Sequence, residues 1–357
     1  MSSKSVLDRY QRSKQYKVLF MTGVFLLLLL LVFVSLTTGS SDIRVSELAE
    51  LLKGEASVFT KQVVYHIRMP RIAGAVLAGT ALSISGAVIQ SLLRNPLASP
   101  FTLGISGASA FGAAFAIIVL GAGSSYQGSN DLAAVTNPYI LTISAFAWSL
   151  LGVAVILMLS RFRGAGPEII ILAGIIISSL FGAGISAMQY FADSVQLASI
   201  VFWTFGDLGR ANWDNVLILL IIMLPVMFYF IYRTWSYKAL QSGDEYAKSM
   251  GVNVRNVRLA GMVVASLATA VVVSFYGVIA FVGLVVPHIV RRIIGGDEQF
   301  LIPASALFGG LFLLASDTLA RVVIAPVVLP VGILTSFLGA PLFLFLLIKG
   351  MKKTFWT

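Results

Sequence analysis

The 357-residue chain has no cysteine and only two histidines, His66 and His288. Without thiols there is no disulfide, no thiolate metal centre and no cysteine nucleophile, and two histidines cannot build a multi-histidine metal or haem site. Charge is scarce too: 11% of residues are Asp, Glu, Lys or Arg, against about 25% in soluble proteins, which excludes an ordinary soluble enzyme. No GxxxxGK[ST] stretch occurs, so the chain does not hydrolyse nucleotides by P-loop chemistry, and energy for active transport has to come from elsewhere. No paired carboxylates or cysteine-histidine pair suggest a membrane enzyme. Formal charges are almost absent from the middles of the apolar runs. That argues against a proton pump, a voltage sensor or an ion-coupled carrier working through buried carboxylates.

What is present is apolar: 58% of the residues are hydrophobic and the mean hydropathy is +0.93. At about 20 residues per crossing this is an all-α polytopic membrane protein. The polar tail, residues 1–17, is followed by a long apolar run at 18–38, which is too long for a signal-peptide core and is read as an uncleaved first span rather than a secretory signal. Residues 39–69 are mixed and read as an external interfacial segment with short amphipathic helices. Nine further spans are expected near 70–92, 103–121, 138–159, 169–191, 216–232, 257–276, 278–294, 302–319 and 328–348, with a piece at 197–205 too short to cross. The division near Gly277 is the least defined, because no polar loop separates the seventh run from the eighth. The whole of 1–357 is one transmembrane domain.

Ten spans place both termini on one side. Loops on that side hold 18 Lys or Arg against six acids, among them Arg161, Arg163, Arg292, Lys349, Lys352 and Lys353, and the opposite side holds seven against nine. The net charges of +12 and −2 add to the chain's +10. The positive-inside rule makes the first side, and both termini, cytoplasmic. Because the basic residues form no single broad patch, nucleic acid is not an expected partner.

Small residues recur through 74–90, with Ala75, Gly79 and Ser83 four residues apart and Ala78, Leu82 and Gly86 beside them. Such stripes let helix backbones approach closely in lipid, so this span is expected to be surrounded by others. Asp317 and Arg321, four residues apart near the outer end of the ninth span, are read as a structural pair, with a role in opening an outer vestibule as the alternative. The "RNPLASP" stretch is a rigid turn because its prolines restrict the backbone. His288, beside Arg291 and Arg292, reads as an interfacial anchor and not a metal ligand.

The polar stretch 237–258, "YKALQSGDEYAKSMGVNVRNVR", predicts a short helix "GDEYAKSM", a turn at Gly251 and a second short helix leading into the seventh span. One reading is a solvated loop. The other is a docking surface with Ala247, Met250 and Val252 as its apolar contact and charged residues on the rim.

Three segments carry a family resemblance. The stretch 66–112, beginning "HIRMPRIAGAVLAGTALSISGAVIQSLLRNPLASP", resembles the signature of the FecCD permeases of binding-protein-dependent ABC importers for iron siderophores, haem and cobalamin. "SGDEYAKSMGVNVRNVR" is similar to the family's cytoplasmic coupling segment, and 277–321, "GVIAFVGLVVPHIVRRIIGGDEQFLIPASALFGGLFLLASDTLAR", is similar to its other hallmark. The resemblance covers essentially the whole chain. One departure precedes "LPVG": members commonly carry a glutamate two residues before the proline, where this chain has Val328, which puts one contact to the binding protein in doubt.

The resemblance implies a type II ABC importer permease fold like that of the vitamin B12 importer. It implies a second permease copy or close paralogue, two cytoplasmic ABC ATPases that use ATP and Mg, an external solute-binding protein, and no cofactor bound by this chain. Gly243, Asp244, Glu245, Ala247, Met250 and Gly251 would couple to the ATPase. Arg94, Asn95 and Pro96 would form the inner turn after the second span, and Pro287, His288 and Arg291 the cytoplasmic end of the eighth. The fifth span and the short helix after it would form the pathway and its outer gate. The expected cargo is a ferric siderophore, with haem, cobalamin or molybdate as alternatives within the family. A secondary transporter is the reading from another class.

Overall fold

Each of the ten apolar runs is helical in the computed structural model, which describes residues 3–39, 43–122, 137–162 and 167–350. Arg163, Lys352 and Lys353 lie outside the described residues. In chain order the helices are α1 (Ser3–Thr37), α2 (Val45–Lys53), α3 (Val58–Gln62), α4 (Met69–Leu93), α5 (Ile105–Ile118), α6 (Pro138–Phe162), α7 (Pro167–Phe191), α8 (Ser194–Thr204), α9 (Trp213–Tyr232), α10 (Thr234–Gln241), α11 (Asp244–Ser249), α12 (Val254–Tyr276), α13 (Val282–Ile294), α14 (Glu298–Val322) and α15 (Val331–Gly350). Seven helical stretches among the described residues are long and apolar enough to cross a bilayer. The three remaining runs correspond to the shorter α5 and α13 and to α15.

The stretch expected to be interfacial divides in two. Helix α2 is amphipathic and buries no residue, whereas α3 passes through a π-helical turn, Val63–Arg68, straight into α4. The second span thus belongs to a continuous helical stretch, Val58–Leu93, that starts well before Pro70.

Helix α4 is the centre of the bundle and packs against α9, α12, α13 and α14. Its small residues permit this. A Cβ on Gly79 would lie 2.2 Å from the carbonyl oxygen of Gly309, and one on Gly86 would lie 1.7 Å from that of Gly283. Polar side chains add bonds between helices: Thr80 Oγ1 donates to the Ala306 carbonyl at 3.0 Å, Ser83 Oγ to Ser305 at 2.7 Å and Gln90 Nε2 to Leu284 at 3.2 Å. Helices α1 and α7, by contrast, expose most of their apolar surface.

The boundary near Gly277 follows from backbone chemistry. Gly277 takes φ +77° and ends α12, and the chain runs without helix until Phe281, at φ +66°, precedes α13. The run expected as the eighth span, α13, therefore begins at Val282 and not at Val278. Irregular backbone of this kind needs protein around it. Here Asp207 N donates to the Tyr276 carbonyl at 2.8 Å, and Gly332 N donates to Gly206 at 3.1 Å.

Candidate coupling site

A knob built from α10, α11 and the turn after α11 lies between α9 and α12. Gly243, at φ +115°, separates α10 from α11, and Gly251, at φ +79°, turns the chain toward α12. Only glycine adopts such backbone freely. Asn253 then caps α12 by accepting from Asn256 N at 3.0 Å. This cap corrects the expected second short helix: the turn feeds directly into the seventh span, and the additional short helix is α10, on the other side of Gly243.

An ion pair across the turn orients α11. Arg258 of α12 donates through Nη2 to both carboxylate oxygens of Asp244, and through Nε to the Leu92 carbonyl of α4 at 3.2 Å. On the exposed face Lys248 lies 2.8 Å from Glu245, whose hydrogen bond and charge hold the ammonium pKa above its ordinary value. Within the knob, Tyr237 of α10 is fully buried, and burial pushes its hydroxyl above the usual phenol range. A cavity of about 350 Å³ opens behind the turn, lined by Arg233, Ser236, Gly251, Asn253 and Asn256 among others.

One expected contact residue is corrected. Ala247 is fully buried, where its methyl packs the knob against the bundle, so it cannot itself meet a partner. Met250 and Tyr246 are exposed and form the apolar part of the outer surface.

The turn after α4 lies close to the knob. Arg94 caps α4 in the left-handed region at φ +46°, and Asn95 Oδ1 accepts from Leu97 N at 2.9 Å ahead of Pro96 in the chain's rigid turn. A Cβ on Gly243 would lie 3.8 Å from Arg94 Nη1. In α13, Pro287 and His288 are buried, with the His288 ring 6.1 Å from Phe343 of α15 and Arg291 Nη2 3.9 Å from Glu298 of α14. Arg94, Asn95 and Pro96 thus follow α4, while Pro287, His288 and Arg291 lie on α13, which packs against α4.

Glu298 carries no signal in the sequence beyond being one of the six acids on its side of the charge division. It is fully buried and accepts from Ser91 Oγ at 2.7 Å. Its hydrogen-bond partners are distant in sequence, and no local pattern signals their meeting. At the other end of α14 the expected pair is present, with Arg321 Nε 3.2 Å from Asp317. Arg71 adds what spacing could not show: its Nη2 donates to Asp317 at 2.8 Å, while Arg321 also reaches the Thr38 carbonyl at 2.9 Å. This network joins α1, α4 and α14. Glu298 thus adds a second buried carboxylate to the expected Asp317, and the two lie toward opposite ends of α14. Among the described residues no group of three or more His, Asp or Glu could hold a metal ion.

Residues 27–349 match the FecCD transport family. A protein of Methanocaldococcus jannaschii described as an ABC transporter permease is 51% identical over 97% of this chain and 99% of its own length. The hemin transport system permease of Yersinia pestis is 37% identical over 91% of this chain and 95% of its own. A solved structure of a metal-chelate type ABC transporter in an inward-facing conformation superposes with a TM-score of 0.80 at 30% identity, covering 92% of this chain and 98% of the other.

Proposed function

The chain belongs to the FecCD transport family of ABC-importer permeases, and from that premise we propose that it moves a ferric siderophore inward by alternating access. The observation that carries this reading is the knob. A docked ATPase pressing on Tyr246 and Met250 would act on a segment already bonded through Asp244 and Arg258 to α12 and α4. Two ATPases, a second permease copy or close paralogue and an external solute-binding protein complete the importer in this proposal. The chain itself has no nucleotide-binding motif and is not the hydrolase.

An iron-chelate cargo is supported by the hemin-transporting relative and by the metal-chelate type of the solved structure. A chelate also suits a chain without cysteine and with two histidines, because bare iron would need ligands that the chelator already supplies. The exposed face of α7, with Ser179, Gly182 and Ser186 among apolar residues, offers a weakly attractive wall for such a path. Specificity then resides in the binding protein.

The proposed orientation has both termini in the cytoplasm of a cell with this chain in its cytoplasmic membrane, on the basis of the +12 to −2 loop charge. Reporters fused after Lys353 and inserted near Gly128 test it, and an exterior C-terminus overturns it. Cargo is tested by screening the cognate binding protein against ferric siderophores, haemin and cobalamin, followed by ATP-driven uptake in vesicles containing the complete importer. Binding and uptake of haemin or cobalamin but not of any ferric siderophore would replace the cargo assignment.

A further inference from the structure

Glu298 opens α14, yet its carboxylate is fully buried. Ser91 of α4 donates to Oε1 at 2.7 Å, Gln241 Nε2 of α10 donates to the same oxygen, and Arg291 Nη2 of α13 lies 3.9 Å from it. One carboxylate thereby joins four helices. The neighbouring Asp297 extends the junction, facing Lys238 of α10 at 3.2 Å and Lys17 of α1 at 3.5 Å.

A buried carboxyl group is a poor way to gain stability, because desolvation offsets most of the attraction and an apolar side chain of similar volume would pack as well. What a shared carboxylate supplies is register. Helix α10 cannot slide along α4 or α14 without breaking hydrogen bonds to a buried carboxyl group, which is far costlier than breaking bonds that water replaces. Helix α10 leads through Ser242 and Gly243 into α11, so this register is that of the knob. The second tether, Asp244 to Arg258, is more exposed and weaker.

We propose that Glu298 is the positioning residue through which displacement of the α10–α11 knob is passed to α4, α13 and α14. The proposal rests on the reading of the knob as the ATPase-coupling segment. Without the shared carboxylate, α10 would shift against α4 and α14 when the knob is pushed, and ATP would be hydrolysed without an equivalent change in the bundle.

The test uses the complete importer in proteoliposomes with the near-isosteric Glu298→Gln and the partner variant Gln241→Ala. Thermal unfolding, ATPase association, ATP hydrolysis and uptake are measured on the same preparations. Both variants are expected to fold and to bind the ATPase, with ATP hydrolysed per cargo molecule rising at least fivefold, and the double variant is expected to be no worse than Glu298→Gln. An unchanged ratio, or uptake that falls only in proportion to folded or assembled protein, overturns the proposal.

A second readout needs no cargo. Because the chain has no native cysteine, spin labels can be placed at the exposed Tyr246 and Leu319 positions. ATP should leave the distance distribution narrow and unchanged in the otherwise native chain, because knob and bundle move together, and should broaden it in Glu298→Gln. Equal behaviour of the two overturns the role of Glu298. Absence of uptake of every chelate by the native importer would defeat the functional reading instead, and the label distances would still decide this one.

Discussion

Arg258 holds Asp244 by donating from one guanidinium nitrogen to both carboxylate oxygens, at 3.0 and 3.1 Å, across the turn that separates α11 from α12. The first residue of the short helix is thereby fastened near the start of a long one. A six-residue helix has little stability of its own, so this contact and the burial of Ala247 keep α11 in place.

Removing that fastening is expected to loosen the knob without unfolding the bundle. Asp244→Ala and Arg258→Ala should each weaken ATPase association several-fold, and a double-mutant cycle should return a coupling of about 1 kcal/mol, as for a partly exposed, well-aligned pair. Pull-down of the ATPase with matched permease checks this. Purely additive effects would show that the contact contributes nothing.

Gly251 has open space around it but a left-handed backbone, so substitutions there separate conformation from crowding. Gly251→Val should cost about 1–2 kcal/mol, whereas Gly251→Asn should cost less because asparagine tolerates that region better. Thermal unfolding of the purified chain and ATPase binding should follow the same order. Ala247→Trp should act differently, by overfilling the interior of the knob, and should lower thermal stability before the docking surface is altered.

The central crossings predict a sharp contrast between glycines. Gly86→Ala places a methyl against the Gly283 carbonyl and should strongly reduce the yield of monodisperse protein. Gly182→Ala, with nothing within 4 Å, should be neutral or should stabilise α7 by roughly 0.5–1 kcal/mol. Size-exclusion profiles at matched expression distinguish the two. Equal yields would refute the close approach of α4 and α13.

At the far end of α14, Asp317→Asn removes the charge that Arg71 and Arg321 share. Loss of one partner from a buried ion network costs about 3–5 kcal/mol. The melting temperature should fall well below that of a control such as Asp193→Ala, which removes the exposed cap of α8 at a cost of about 1 kcal/mol. Similar melting of the two variants would deny the network its structural role.

The sequence shows the bundle more clearly than the site. Apolar runs and the Ala75, Gly79, Ser83 stripe identify the spans and the central helix because both are local, periodic signals. Gly251 is legible for the same reason, since a glycine between charged helical stretches marks a turn. Burial of Ala247 was not legible: alanine is compatible with either a surface or a core, and only the packing of α11 on α12 decides. Glu298 was hidden because its partners lie 57 and 207 residues away. The non-helical 277–281 stretch was hidden because its apolar composition fits a helix as well as a buried extended segment.

The central place of α4 also sets an order for biogenesis. This helix is synthesised second among the spans, but Ser91 meets Glu298 across 207 residues and Arg71 meets Asp317 across 246. At about 5–20 residues per second, the later partners emerge on the order of tens of seconds after α4. During that interval its polar groups and bare glycine faces have lipid, translocation machinery or early helices for neighbours. Completion of the bundle is therefore an event of the C-terminal third, and chains truncated before α12 should be substrates for membrane quality-control proteolysis even though their first spans have inserted correctly.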